Sequence, residues 1–334
     1  MTTTDSPPDA QPGRLKPPAR RRGSGDTERG FSRVFRWITT GAGAFLLLVL
    51  AAVAVFLIAR GLPALTASPE ELADQGGLPT GMDSLWDLVG PLVFGTLLAA
   101  AMALLLATPV AIGIALFISH YAPRRAAAAI GYVIDLLAAI PSVVFGLWGG
   151  RTLAPVINDV WVWIGGVLDF LPFWTVNVTN TGRSLATVSV VLAVMVLPII
   201  TAVSREVFLQ TPKLHEEAAL ALGATRWEMI RTAVLPFGRS GVISAAMLGL
   251  GRALGETMAV LMILSPGILY SFQIFDSGQQ QTIAAFIASR FAEASGLAVN
   301  VLIATGLALF VITMVVNMAA RAIVARRKDF SGAN

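Results

Sequence analysis

Two consecutive segments decide the fold. The first is polar, TPKLHEEAALALGATRWEMIRTAVLPFGRS at Thr211–Ser240, and it leads directly into the second, which is apolar, SGVISAAMLGLGRALGETMAVLMIL at Ser240–Leu264. The apolar segment exceeds the roughly 20 residues that a helix needs to cross the hydrocarbon core of a bilayer. The sequence therefore predicts a membrane-spanning helix that follows directly on a polar element at the membrane surface.

The polar segment contains the start and end signals of two short helices. Thr211-Pro212 predicts a helix start, because threonine caps free amide groups and proline fits the first helical turn. Gly223 predicts the end of that helix. Thr225, with Glu228 three residues later, matches a capping box that opens a second helix, and Pro236 predicts its end. The segment is expected to form a helix–glycine–helix elbow on the membrane surface.

This elbow resembles the EAA loop of ABC-importer permeases, which docks into a cleft of a cytoplasmic ATPase. The resemblance implies that the residues matching the motif make the ATPase contact. They are Glu217, Ala218, Ala219, Gly223, Leu235 and Pro236. One position departs from the pattern, since Ala233 stands where isoleucine is usual. The alternative is an amphipathic pair of surface helices without a partner.

The composition is that of a membrane protein. The chain has 334 residues, of which 55% are hydrophobic and only 13% charged, and its mean hydropathy is +0.73. These values indicate several membrane spans. The absence of cysteine excludes disulfides, thiolate metal sites and cysteine catalysis. The net charge of +4 falls on short segments between spans and on the tails, so membrane topology explains it and no nucleic-acid partner is predicted.

The hydropathy pattern predicts an all-α integral membrane protein with six spans. Met1–Gly30, rich in proline, arginine and glycine, is predicted to be a disordered tail. Residues 31–328 are predicted to form the transmembrane domain, with the elbow at about 205–240. Proline is expected to break the third span at Ile140-Pro141-Ser142. The predicted spans are Trp37–Arg60, Leu88–Ser119, Ala126–Gly150, Ser184–Ser204, Ser240–Leu264 and Gly296–Ala320.

The distribution of positive charge predicts the orientation. Of the 24 lysines and arginines, 19 lie on the side that holds both termini and the elbow. The opposite side has Arg60, Arg151, Arg183 and Arg290, and Arg252 lies within a span. Because lysine and arginine are enriched on the cytoplasmic side of membrane proteins, both termini and the elbow are predicted to be cytoplasmic.

The centre of the fifth span holds an unusual polar group. Arg252 lies near the expected bilayer midplane, where an arginine costs about 2.5–3.5 kcal/mol on insertion scales. Glu256, one turn further on the same predicted helix, is expected to pair with it, and Gly251 and Gly255 would let another helix approach closely. Two interpretations stay open, a structural ion pair and a substrate pathway.

The segment Gly251–Thr257 resembles the Gly-Arg-Ala-x-Gly-Glu-Thr motif of phosphate-specific ABC permeases, and its sequel, Met258-Ala259-Val260, is similar to the PstC type. Further matches run from about Phe31 to Arg327, among them Leu92-x-x-Gly95-Thr96. The resemblance implies a six-span type I importer permease in the cell membrane, with Arg252, Glu256 and Thr257 on the substrate pathway. Its implied partners are a PstA-type permease, a PstB-type ATPase dimer, an outer phosphate-binding protein and membrane lipid. ATP and Mg²⁺ would be bound by the ATPase and no cofactor by this chain.

The physical chemistry of Arg252 fits an anion pathway, since a guanidinium matches phosphate oxygens with a planar fork of donors. Three alternatives are weighed. A permease for sulfate or molybdate is compatible with the elbow but not favoured by the Arg252 context. A proton-coupled secondary transporter with Glu256 as proton carrier leaves the elbow unexplained. An enzyme is disfavoured because His120 and His215 are the only histidines and have no metal-ligand spacing.

Overall fold

The computed structural model describes residues 25–75, 77–79, 81–168 and 177–325. Within these ranges the chain is helical and has no strand, as the hydropathy pattern predicts. Most of the predicted tail, and the predicted end of the transmembrane domain at residue 328, lie outside the described residues. Helix α1 begins at Gly25 and so includes the last six residues of the predicted tail.

Thirteen α-helices occupy the described ranges. They are α1 Gly25–Thr66, α2 Pro69–Gln75, α3 Leu85–Leu116, α4 Arg124–Ala138, α5 Ser142–Trp148, α6 Ala154–Leu168, α7 Leu185–Leu209, α8 Lys213–Ala221, α9 Arg226–Met229, α10 Leu235–Leu254, α11 Met258–Ile263, α12 Ile283–Arg290 and α13 Leu297–Ala325. Three π turns join neighbouring helices, at Phe117–Tyr121, Gly149–Leu153 and Ile230–Val234.

Five helical runs are long and apolar enough to cross a membrane. They are Val34–Thr66, Leu85–Tyr121, Leu185–Leu209, Arg226–Leu254 and Leu297–Ala322. A sixth span arises if α4 and the run Ser142–Val167, which meet at an angle of 89°, are taken together. The break lies at the predicted Ile140-Pro141 position, but the helix beyond it continues to Leu168, well past the predicted end at Gly150. The π turn at Gly149–Leu153 carries the helix through the glycine pair.

The described part of the chain forms two units, which divide between Val55 and Phe56. Within the second unit, a stripe of alanines on α3, including Ala100, Ala103 and Ala107, packs against α7. Small side chains let the two helix axes approach closely, as is common between membrane helices. Val188, Leu192 and other large residues of α7 complete this core.

A second core gathers the start of α3, α12 and α13. Leu88 and Leu92 of α3 are fully buried against Ile283 and Phe286 of α12. Thr96 of α3 fixes the contact, because its hydroxyl accepts a hydrogen bond from the Ile283 N–H at 3.0 Å. The segment between α11 and α12 is thereby tied to the centre of the unit.

The fifth span differs from its prediction at both ends. The helical run Arg226–Leu254 is continuous, so Pro236 does not separate the elbow from the span. Pro236 lies in the first turn of α10, directly after a π turn in which the Leu235 N–H bonds to Ile230 O. A proline in the first turn of a helix loses no helical hydrogen bond. The preceding π turn shifts the backbone hydrogen bonds to residues five apart, so that Pro236 begins a new first turn. At the other end, the predicted span to Leu264 is interrupted after Leu254.

Candidate functional site

The elbow forms the predicted pair of helices, α8 and α9, around a glycine turn. Gly223 has φ +89°, a conformation that side chains other than glycine rarely adopt. The predicted capping box is present, because the Thr225 N–H donates to Glu228 Oε2 at 2.8 Å and the Glu228 N–H donates to Thr225 Oγ1 at 3.3 Å. The two helices are therefore set at a fixed angle by local hydrogen bonds.

The predicted start of the first elbow helix is wrong in one detail. Thr211 does not cap α8, since its hydroxyl is buried and has no hydrogen-bond partner among the described residues. Helix α8 begins at Lys213 after Pro212, whose side chain makes no cap. The proline conformation alone directs the chain into the helix.

The six predicted coupling residues divide into an anchored and an exposed group. Ala219 and Leu235 are half-buried and pack against a cluster that includes Leu116 of α3 and Phe208 of α7. Pro236 and Gly223 are exposed, as are Glu217 and Ala218 of α8. The structure thus brings Ala219 and Leu235 together.

The exposed side of the elbow also carries large apolar side chains. Leu222 beside the glycine turn is 90% exposed and Leu214 of α8 is 74% exposed. Trp227 of α9 is more than half exposed as well. Apolar side chains grouped on a polar surface element indicate a site for contact with another protein.

The motif around Arg252 forms a break between two helices. Helix α10 ends at Leu254 and α11 begins at Met258, with Gly255, Glu256 and Thr257 between them. The Thr257 hydroxyl donates to Gly255 O at 3.2 Å. Glu256 is buried, and its Oε1 accepts a hydrogen bond from the Ala259 N–H at 3.1 Å. Glu256 therefore caps the amino end of α11, where a carboxylate also interacts favourably with the helix dipole.

The predicted ion pair between Arg252 and Glu256 is absent from this conformation. No hydrogen bond or ion pair joins the Arg252 side chain to any residue that the structure describes, and its Nε is buried without a partner. The prediction assumed a continuous helix, in which residues four apart share a face. Because the helix ends at Leu254, Glu256 turns to the Ala259 amide instead, and the guanidinium is left available.

Arg183 holds the opposite end of α11, a role that the sequence analysis missed. Its Nε donates to Ile263 O at 3.2 Å and its Nη2 donates to Met262 O at 3.1 Å. These carbonyls lie at the carboxyl end of α11, where a cation is favourable. The short helix is thus held by Glu256 at one end and Arg183 at the other.

One face of α11 is formed by contact with glycines of α5 and the following turn. A Cβ atom built on Gly146 would lie 2.8 Å from Ala259 Cα, and one on Gly150 would lie 2.8 Å from Met262 O. Both distances are shorter than real Cβ contacts, so these positions admit only glycine unless the backbone moves. Two motifs far apart in sequence, the Pro-Ser segment with its glycines and the segment after Arg252, therefore form one site.

Gly251 and Gly255 do not bring another described helix close. A Cβ atom on Gly251 would meet nothing within 4 Å, and one on Gly255 would meet only Gly251 O at 3.7 Å. The predicted packing role is thus not fulfilled within the described part of this chain. Gly255 and Thr257 instead line an apolar cavity of about 500 Å³ next to α12 and α13.

The cap made by Glu256 leads to a testable difference between two variants. Glu256→Gln should keep transport within about fivefold of the wild type, because the amide oxygen still accepts from Ala259 and only the charge–dipole interaction is lost. Glu256→Leu should lower transport further and destabilise the protein by about 1 kcal/mol, since the amide loses its cap. Substrate uptake and thermal unfolding of the purified protein measure both effects. Equal inactivity of the two variants would show that the charge itself is required.

Comparison with known proteins gives consistent matches. Residues 107–329 match the family described as "Binding-protein-dependent transport system inner membrane component". The phosphate transport system permease protein PstC 2 of Mycobacterium tuberculosis is 46% identical over 299 residues, which is 87% of this chain and 91% of the relative. PstC of Mycobacterium leprae is 48% identical over 275 residues, 81% of this chain and 86% of the relative. PstC of Xylella fastidiosa is 37% identical over 301 residues, which is 87% of this chain and 90% of the relative.

A solved structure supports the fold. The chain is similar to a bacterial ABC transporter involved in the import of the acidic polysaccharide alginate, with a TM-score of 0.54, 18% identity, and coverage of 90% of this chain and 99% of the other. At this identity the likeness concerns the fold alone, and it is the fold of a type I ABC-importer permease. Together with the apolar helices, the family match places the protein in the cell membrane. The chain belongs to the binding-protein-dependent transport system inner-membrane components and, within them, to the PstC family of phosphate transport permeases.

Proposed function

We propose that this chain is the permease subunit of an ATP-driven phosphate importer, in which it forms part of the translocation path. The observation that carries the pathway role is the helix break after Leu254, which leaves the Arg252 guanidinium without a partner among the described residues. An intramembrane arginine is costly unless something offsets it. A phosphate in the translocation path would offset this cost, because its oxygens match the donors of the guanidinium group.

The cap of Glu256 has a consequence for how Arg252 would act. A carboxylate already held by the Ala259 amide does not neutralise the guanidinium. Arg252 therefore presents its full charge to an anion, and no ion pair needs to open before phosphate is held. Thr257 lines the nearby cavity, and its hydroxyl would have to leave Gly255 O in order to donate to the same anion. We assign Arg252 and Thr257 to the pathway and Glu256 to the support of α11.

Coupling would run through the continuous helix from the elbow to Arg252. The 26 residues between Arg226 and Arg252 span roughly 40 Å at 1.5 Å per residue. The run has no break between them, so a displacement of the elbow would move Arg252 as part of one rigid rod. Closure of an attached ATPase dimer would thereby switch access to the path.

The assembly that this requires has four kinds of component. The exposed apolar residues Leu214, Leu222 and Trp227 suit docking of a PstB-type ATPase, which would bind ATP and Mg²⁺ and perform hydrolysis. The open surface at Gly251 and Gly255 suits the close approach of a PstA-type permease. A phosphate-binding protein would deliver the anion from the outer side. This chain itself would carry no catalytic group or cofactor.

Copurification with reconstitution tests this function. The detergent-solubilised complex should contain an ATPase and a second, distinct permease, and in proteoliposomes with the binding protein it should take up phosphate only when ATP is supplied. Sulfate and molybdate, offered at the same concentration, serve as matched controls and should be taken up far less. Uptake that follows a proton gradient without ATP, or a preference for sulfate or molybdate, would contradict the proposal.

A further inference from the structure

A histidine links the end of α3 to the elbow. His120 lies in the π turn Phe117–Tyr121 that follows α3. Its Nε2 is 3.5 Å from Oε1 of Glu216 on α8, and the two side chains are only 8% and 24% exposed. Glu216 directly precedes the residues that match the EAA motif. This contact therefore joins the second span to the helix that would carry the ATPase.

The second ring nitrogen of His120 is held as well. Ser119 Oγ lies 2.7 Å from His120 Nδ1, and Ala115 O at 2.8 Å and Leu116 O at 3.3 Å are the other partners of the Ser119 hydroxyl. Either the hydroxyl or Nδ1 supplies the hydrogen of the Ser119–His120 bond. In both cases the bond fixes the orientation of the imidazole ring, and Nε2 faces the Glu216 carboxylate.

The local backbone explains why His120 is so placed. Ala122 precedes Pro123 and is extended, with φ −70° and ψ 138°, as residues before proline tend to be. The Ala122 N–H bonds to Phe117 O at 2.8 Å and closes the π turn. A wider turn rotates the side chains after it relative to a regular α-helix, and π turns often occur at functional positions.

Helix α8 has little else to hold it. None of its residues is buried, and its apolar anchor to the membrane helices is the half-buried Ala219. An ion pair with low exposure is screened less by salt and water than a surface pair. The His120–Glu216 pair is thus a substantial part of the connection between α8 and α3.

We propose that His120 and Glu216 form a clamp that fixes α8 to the carboxyl end of α3, which makes His120 a positioning residue for coupling. The proposal rests on the proposed function, since it requires α8 to be the ATPase contact. With the clamp in place, displacement of α8 moves α3 together with the continuous helix of the fifth span. Without the clamp, ATP hydrolysis continues but moves phosphate less efficiently.

The experiment measures phosphate transported per ATP hydrolysed by the whole complex in proteoliposomes. His120→Gln and Glu216→Gln should each lower this ratio by about fivefold. The double variant should be no worse than either single variant, because both remove the same contact. His120→Arg, which keeps a donor toward Glu216, should retain most of the ratio. His215→Gln is the matched control, since His215 is exposed on α8, and it should keep the wild-type ratio.

The outcomes separate the clamp from the proposed function. A His120→Gln complex with the wild-type ratio would overturn the clamp and leave the importer function intact. A lower ratio in His215→Gln, but not in His120→Gln, would also overturn it. Absence of ATP-dependent phosphate uptake in the wild-type complex would overturn the proposed function, and the clamp with it.

Discussion

Replacing Arg252 by lysine is expected to lower phosphate uptake by the assembled complex about tenfold or more. The substitution keeps the positive charge but replaces a planar fork of donors by a single ammonium group. A hydrogen bond to a charged group contributes about 1.5–3 kcal/mol, and 1.4 kcal/mol corresponds to a factor of ten. Because the wild-type guanidinium makes no hydrogen bond with the described residues, the substitution should disturb the fold little.

The measurement is phosphate uptake together with ATP hydrolysis in proteoliposomes, after the subunits of the complex have been shown to copurify. Arg321→Lys is the matched control, since Arg321 lies exposed near the end of α13, and uptake should stay at the wild-type level. Wild-type uptake by Arg252→Lys would remove the guanidinium fork from the pathway. An equal loss in both variants would point to an effect on insertion or assembly.

Hydropathy predicted the spans, because the bilayer imposes the same length and apolar composition on every spanning helix. The segments predicted at Leu88–Ser119, Ser184–Ser204 and Gly296–Ala320 correspond to α3, α7 and α13. Continuity was harder to predict. Pro236 predicts a helix end because proline lacks a backbone N–H. In the structure the preceding π turn accommodates the proline, and the helix continues. Such turns have no reliable sequence signature, so the rigid connection from the elbow to Arg252 is visible only in the structure.

At the candidate site, the sequence rules gave correct predictions where the structure depends on residues within one helical turn. The capping box at Thr225 and the glycine turn at Gly223 are confirmed, since both depend on residues within one turn. The Arg252–Glu256 pair was predicted by the rule for residues four apart, which fails when the helix ends between them. Gly255, a residue type common just past a helix end, was a usable signal for that break.

Contacts between distant segments could not be predicted from a single sequence. Arg183 reaches the carbonyls of Met262 and Ile263, and nothing near Arg183 in the sequence indicates this partner. The same holds for Gly146, whose need for glycine comes from Ala259 on another helix. Orientation of the termini stays a prediction from the charge distribution.

Gly223→Val is expected to abolish coupled uptake while the chain still inserts. Gly223 has φ +89°, and no atom lies within 4 Å of a Cβ built there. Space within this chain is therefore not the obstacle, and the effect must come from the backbone. A left-handed conformation costs a residue with a side chain about 1–2 kcal/mol, and a β-branched side chain is the least suited to it. The turn should reopen and tilt α8 away from its position on the elbow.

Gly223→Asn is the matched control, because asparagine tolerates positive φ better than other side chains. If the backbone conformation is what matters, this variant should retain most of the uptake, and the valine variant should lose at least about tenfold, the factor that corresponds to 1.4 kcal/mol. The measurement is ATP-dependent phosphate uptake, with copurified ATPase quantified in parallel. If both variants lost uptake while the ATPase still copurified, the partner would need the open space beside Gly223. Normal uptake by membrane-inserted Gly223→Val would contradict the assignment of the elbow as the coupling element, because a distorted turn could not transmit a displacement along the helix to Arg252.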